Sequence, residues 1–305
     1  MVDREAAWEP WKSPGWMTPP PLPSVHFWSW QLILAMLLNC FISCILIGAY
    51  AARLAGAQSG RVATAISLFN LFVTVSRMAT LIYTPMLGAL SDRAAVYEST
   101  DQALRAAAVT TFQWQLRGIV LAGTLGAAIG TALLPAFRML FLRGIAAFER
   151  TRSLPKALVR LLAPRSSISV LRSVRLPSIA SLGRFSLHHI PKDLLAFNIV
   201  VTGVYAIGVV AAAYASVINP EAARTALLSS GLINGIATIS YTLIVDPGSA
   251  LITDEAAKGE RPIEEVKSLV AYLALTTIVG MLLSQLVLVP AAIVIAAGAH
   301  FITGR

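Results

Sequence analysis

Residues 27–50 read FWSWQLILAMLLNCFISCILIGAY, a run without one charged side chain. A helix needs about 20 apolar residues to cross the hydrocarbon core of a bilayer, so this run is long enough to span it. Further along the chain the same pattern recurs at 61–90, 112–137, 194–216, 225–246 and 268–298. The fold class that follows is all-α, a polytopic membrane protein with about six transmembrane helices. Composition agrees, because the 305 residues are 56% hydrophobic and 13% charged, with a mean hydropathy of +0.72. A soluble domain carries about 25% charged residues, so water is not the main solvent of this chain.

Charge divides the spans into two groups. Between Arg138 and Lys192 stand eleven Lys or Arg against one acid, Glu149. Lying between apolar spans, this segment reads as a cytoplasmic loop that touches anionic headgroups, not as a nucleic-acid site. Alternation from it puts both termini outside and loops 51–60 and 247–267 in the cytoplasm. The chain then divides into a Trp/Pro-rich interfacial segment (1–26), a first three-helix unit (27–137), the basic loop (138–193) and a second three-helix unit (194–305). Trp8, Trp11, Trp16, Trp28 and Trp30 suit a segment lying at the membrane surface. Cys40 and Cys44 share one face of the first span and imply no disulfide framework. Gly123, Gly126 and Gly130 of the third span are expected to let helices approach closely.

The two three-helix units resemble each other. At an offset of 164 residues Tyr50 matches Tyr214 inside an Ala-Tyr-Ala triplet, Asn70 matches Asn234, and Thr74 matches Thr238. At an offset of 162, Pro85 to Asp92 (PMLGALSD) parallels Pro247 to Asp254 (PGSALITD). Three spans per unit is an odd number, so the second unit enters the membrane from the opposite side. Such inverted repeats are common in secondary transporters, whose substrate sites lie where the repeats meet, near the midplane.

The second span also carries chemistry. Ser67, Asn70, Thr74, Arg77, Thr80 and Thr84 fall on one face of a 3.6-residue helix. Arg77 sits near mid-span, where a charge costs about 2.5–3.5 kcal/mol on insertion scales. No carboxylate is expected at comparable depth, so an anionic ligand or water is the expected partner. In the matching span Ser230, Asn234, Thr238 and Tyr241 share a face, and Tyr241 takes the position of Arg77. The expected substrate groove is therefore lined by Ser67, Asn70, Thr74, Arg77, Asn234, Thr238 and Tyr241, with Arg53 and Arg61 at its cytoplasmic mouth. Tyr50 and Tyr214 read as interfacial aromatics. Asp246, Asp254, Glu255, Glu260, Glu264 and Glu265 read as a solvated acidic loop, with no metal or cofactor implied. No metalloprotease, nucleophile-elbow or phosphate-loop motif occurs, so an enzyme is not expected.

The stretch Arg53 to Arg77 (RLAGAQSGRVATAISLFNLFVTVSR) resembles the Amj family of lipid II flippases, the alternates to MurJ. Ser229 to Asp254 (SSGLINGIATISYTLIVDPGSALITD) and Gln285 to Ala291 (QLVLVPA) resemble the same family's second half. The resemblance implies movement of lipid II, the undecaprenyl-pyrophosphate-linked peptidoglycan precursor, across a bacterial inner membrane. The residues alone also leave open transport of another anionic lipid-linked glycan, or a membrane scaffold for cell-wall enzymes.

Overall fold

Hydropathy marks where hydrocarbon begins, but helix ends are set by caps and breakers, and the helices here run past the apolar windows. The computed structural model describes residues 26–97, 101–152 and 190–304. The N-terminal segment up to residue 25 and the basic stretch 153–189 lie outside the described residues. The first helix, α1 (Trp30–Ser59), starts where Ser29 Oγ accepts the Leu32 N–H at 3.2 Å and ends at Gly60, whose φ of +66° suits glycine. After it come α2 (Val62–Ala95) and α3 (Gln102–Ala132). The helix α4 (Leu134–Thr151) leaves α3 at an angle of 61°. Pro135, in the first turn of α4, explains the break, because its ring has no N–H and crowds the preceding turn.

The second half opens with α5 (Lys192–Ile218). A single turn (Pro220–Ala222), α6 (Ala223–Leu228) and α7 (Ser230–Ser240) follow, and then a π turn (Tyr241–Val245) leads into α8 (Asp246–Ala257). The chain ends in α9 (Ile263–Thr303). By length and composition α1, α2, α5, α9 and the broken run Pro220–Ala257 can each cross a membrane. α3 and α4 are long and apolar enough only together, as a bent pair that is either a broken sixth span or a re-entrant loop. The described residues contain no strand. The all-α, polytopic expectation therefore holds, with five to six candidate spans against the expected six. The basic segment expected as a loop from 138 is helical as far as Thr151, as the outer part of α4.

Close backbone packing builds the interior. A Cβ on Gly126 would stand 2.0 Å from the Cys40 carbonyl oxygen, and one on Gly130 2.7 Å from that of Cys44, so α3 lies directly on α1. In the other half a Cβ on Gly203 would stand 2.9 Å from the Gly280 oxygen, so α5 lies equally close to α9. Small residues permit this approach, and the dispersion gained replaces the hydrophobic drive that lipid cannot supply. Around these pairs α2 packs on α1, and α6 with α7 packs on α5. The buried face of α4, with Ala136, Phe141, Gly144 and Ile145, closes on α1 and α2. Phe141 meets both Phe69 and Phe72 edge to face.

Candidate functional site

The polar line of α2 lies on the surface of the chain. Ser67, Asn70, Thr74, Arg77 and Thr84 are exposed and Thr80 is half-buried. The opposite face, with Leu68, Ser76, Tyr83 and Leu87, is buried. Arg77 makes no hydrogen bond or ion pair with any described residue, and neither Ser67 nor Asn70 makes one through its side chain. The hydroxyls of Thr74, Thr80 and Thr84 donate back to the carbonyls of Asn70, Ser76 and Thr80 at 3.0, 3.1 and 3.1 Å. Such bonds let threonine sit at membrane depth without an external partner. They also leave Ser67, Asn70 and Arg77 as the donors that an anion could engage on this helix. Met78 and Leu81, 63% and 74% exposed, share the surface, so α2 presents polar and apolar groups side by side.

The second-half residues do not form a mirror image of this line. Thr238 is exposed and its hydroxyl donates to the Asn234 carbonyl at 2.7 Å. Asn234 turns toward α5, where a Cβ on Gly208 would come within 2.1 Å of its Oδ1. That oxygen is buried and has no partner among the described residues. Tyr241, in the π turn, lies beside Tyr50, Arg53 and Asp246. The expected groove residues thus fall into an exposed set on α2, Asn234 packed against α5 with Thr238 exposed on the same helix, and Tyr241 within a bonded cluster.

That cluster is where the structure departs most from expectation. Arg53 of α1 donates through Nη1 to Ser249 Oγ and through Nη2 to Asp246 Oδ1. Asp246 was expected in a solvated acidic loop, but it opens α8 and pairs with the first half. The π turn ahead of it and Pro247 in the first turn of α8 put the carboxylate on the helix side facing α1. The Arg53 side chain is 14% exposed and that of Asp246 39%, so Arg53 already has a counter-ion. Arg61 pairs with Glu149 of α4 at 3.0 Å, with both side chains largely exposed. Such a surface pair contributes on the order of 0–1 kcal/mol.

A neutral network continues inward from this ion pair. Tyr50 is buried, not interfacial, and its hydroxyl meets Thr277 Oγ1 at 2.9 Å and Asn198 Oδ1 at 3.4 Å. Asn198, with 0% exposure, donates to Thr276 Oγ1 at 2.8 Å and to the Leu273 carbonyl at 3.1 Å. Composition-level reading missed Asn198, Thr276 and Thr277. Each is an isolated polar residue in a strongly apolar span, and that isolation was the available signal.

Other polar bonds tie the two halves together. Tyr214, also buried, donates to Gln113 Oε1 at 3.4 Å, and Ser91 meets Ser216 at 2.7 Å. Arg117 Nη1 donates to the Gln285 carbonyl at 2.7 Å, while Gln285 Nε2 donates to the Arg117 carbonyl at 3.0 Å.

Six apolar helical runs joined by buried polar bridges define a polytopic α-helical membrane protein. A family model described as Amj, alternate to MurJ, matches residues 38–299. The protein "Lipid II flippase Amj" of Bacillus subtilis (strain 168) is 36% identical over 249 residues, which cover 81% of this chain and 89% of that protein. No solved structure matches the chain. The chain belongs to the Amj family.

Proposed function

We propose that the chain is a lipid II flippase of a bacterial inner membrane. It works by alternating access between two three-helix halves of opposite orientation, 27–137 and 194–305. The termini lie outside and segment 138–193 lies in the cytoplasm against anionic headgroups. The observation that carries this reading is Arg77, an exposed guanidinium near the middle of α2 with no partner among the described residues. A guanidinium forms two parallel bonds to phosphate oxygens, and lipid II offers a pyrophosphate at the junction of a polar head and an apolar tail. The mixed surface of α2 suits such an amphiphile. Ser67 and Asn70 supply further donors beside Arg77, and the apolar flank of Met78 and Leu81 meets the tail.

Contacts between the halves support the inverted arrangement. Tyr50 reaches Thr277 and Tyr214 reaches Gln113. The two tyrosines are 164 residues apart, and so are their partners. The exchange between Arg117 and Gln285 is reciprocal, as expected of residues beside a two-fold axis. The family relative named a lipid II flippase supports the choice of substrate.

The test is genetic. Arg77→Ala should abolish rescue of cells that lack their other lipid II flippase, with the protein still present in the membrane, and Arg77→Lys should keep part of the rescue. Full rescue by Arg77→Ala removes Arg77 from the mechanism.

A further inference from the structure

The two ends of the molecule are held together by different chemistry. Where α1 ends, α1 is joined to α8 by Arg53, Asp246 and Ser249, with Tyr50, Tyr241, Asn198 and Thr277 packed inward of them. Where α2 ends, α2 and α5 are joined by neutral hydroxyls, Ser91 to Ser216, with Tyr214 on Gln113 nearby. α1 and α2 are antiparallel neighbours, so these are opposite ends of the bundle. One end therefore carries an ion pair between the halves, and the other is bonded by uncharged groups.

We infer that Arg53 is a second anion site whose place for a phosphate is held by Asp246, and that the lipid-borne pyrophosphate opens this end by displacing the carboxylate. This rests on the flippase reading above and names how its substrate gains entry. A ligand shifts a conformational equilibrium only by binding the two states differently. While α1 and α8 are joined, Arg53 gives one N–H to Asp246 and one to Ser249. Asp246 is engaged through a single oxygen, whereas a guanidinium prefers a two-pronged partner. A pyrophosphate offers that second prong and more charge, and it can occupy Arg53 only once Asp246 has moved away. The anion thus stabilises the parted state alone. The hydroxyl-bonded end also has arginines, Arg105 beside Ser216 and Arg93 near the end of α2. Among the described residues, however, no ion pair joins the halves there, so an anion has no such joint to break and loading is confined to the end with the ion pair. In the orientation proposed above that end faces the cytoplasm, where the substrate starts.

The experiment uses the full chain in lipid nanodiscs with Cys40 and Cys44 replaced by alanine. Spin labels are attached to cysteines introduced at Ser59, the last residue of α1, and Lys258, which caps α8. Undecaprenyl pyrophosphate should move the main distance population outward by about 5 Å, the scale of a one-turn displacement. Undecaprenol, with the same tail and no anion, should leave it in place. Opening by inorganic pyrophosphate as well assigns the release to the anion itself and supports the exchange. Asp246→Asn should show the long distance without ligand, and the charge swap Arg53→Asp with Asp246→Arg should restore the short one. A short distance in Asp246→Asn, opening by undecaprenol, or no response to undecaprenyl pyrophosphate overturns the inference. Lipid II movement by the unlabelled protein is measured in parallel in liposomes. Movement without any distance change sinks the exchange and leaves the flippase reading standing, while a distance change without movement sinks the flippase reading.

Discussion

In the two halves proposed above, α2 and the run Pro220–Ala257 are counterparts, and they treat their asparagines and their aligned Arg77 and Tyr241 in opposite ways. α2 is one continuous helix despite Pro85, and it leaves Ser67, Asn70 and Arg77 exposed and without side-chain partners among the described residues. Its counterpart is broken at Ser229 and again by the π turn Tyr241–Val245. There Asn234 is pressed against Gly208, and Tyr241 joins Tyr50, Arg53 and Asp246. Similar sequence patterns therefore give one helix with free donors and one in which Asn234 and Tyr241 are turned inward, while Thr238, like Thr74, stays exposed on its own backbone carbonyl. π turns re-aim side chains within a helix, and this one moves Tyr241 from the position of Arg77 into contact with the first half.

The comparison can be broken most severely at its aligned positions. Tyr241→Phe removes one hydroxyl from a network that keeps its other bonds, so it should retain most of the rescue that Arg77→Ala loses. Equal loss in both, scored by rescue at matched membrane abundance, would mean that Tyr241 works on substrate as Arg77 does. A smaller contrast separates the asparagines. Asn70→Ala should lower lipid II movement several-fold while stability changes by no more than about 0.5 kcal/mol, because the side chain is exposed and unbonded. Asn234→Ala removes a buried acceptor that has no partner. An unsatisfied group of this kind costs about 1–3 kcal/mol, so the variant should melt no lower than wild type in detergent and should move lipid II normally. A lower melting temperature for Asn234→Ala would mean that its amide bonds something essential.

Much of this was legible from the residues. Five of the six apolar runs fall in helices or a helical run long and apolar enough to cross a membrane, since only the hydrocarbon requires such length. The run 112–137 straddles the break between α3 and α4. Gly126 and Gly130 were readable as packing positions, and they lie on the Cys40 and Cys44 carbonyls. What escaped depended on direction, not on composition. Asp246 precedes a proline and an acidic stretch, and so looked like loop. Proline is tolerated in the first turn of a helix, however, and here Asp246 begins α8. The change of repeat offset from 164 to 162 falls between Thr238 and Pro247, and the π turn lies within that interval. Tyr50 resembled an interfacial aromatic because it ends an apolar run, but α1 continues for nine residues beyond it and carries it inside. Asn234 fitted the polar stripe by periodicity alone, and only the missing Cβ at Gly208 shows why it turns inward.

Water at position 77 is the most direct measurement. In protein with Cys40 and Cys44 replaced by alanine, held in nanodiscs, Arg77→Cys and Met78→Cys are each exposed to a charged, water-soluble thiol reagent. The two positions are adjacent on one helix and both lie on its exposed face, about 100° apart. If α2 borders a wet passage on its polar flank and lipid on its apolar flank, the cysteine at 77 should react many-fold faster than the one at 78. Equal, slow labelling at both, with reaction only toward a lipid-dissolved reagent, would put Arg77 among acyl chains and contradict its role in carrying the pyrophosphate.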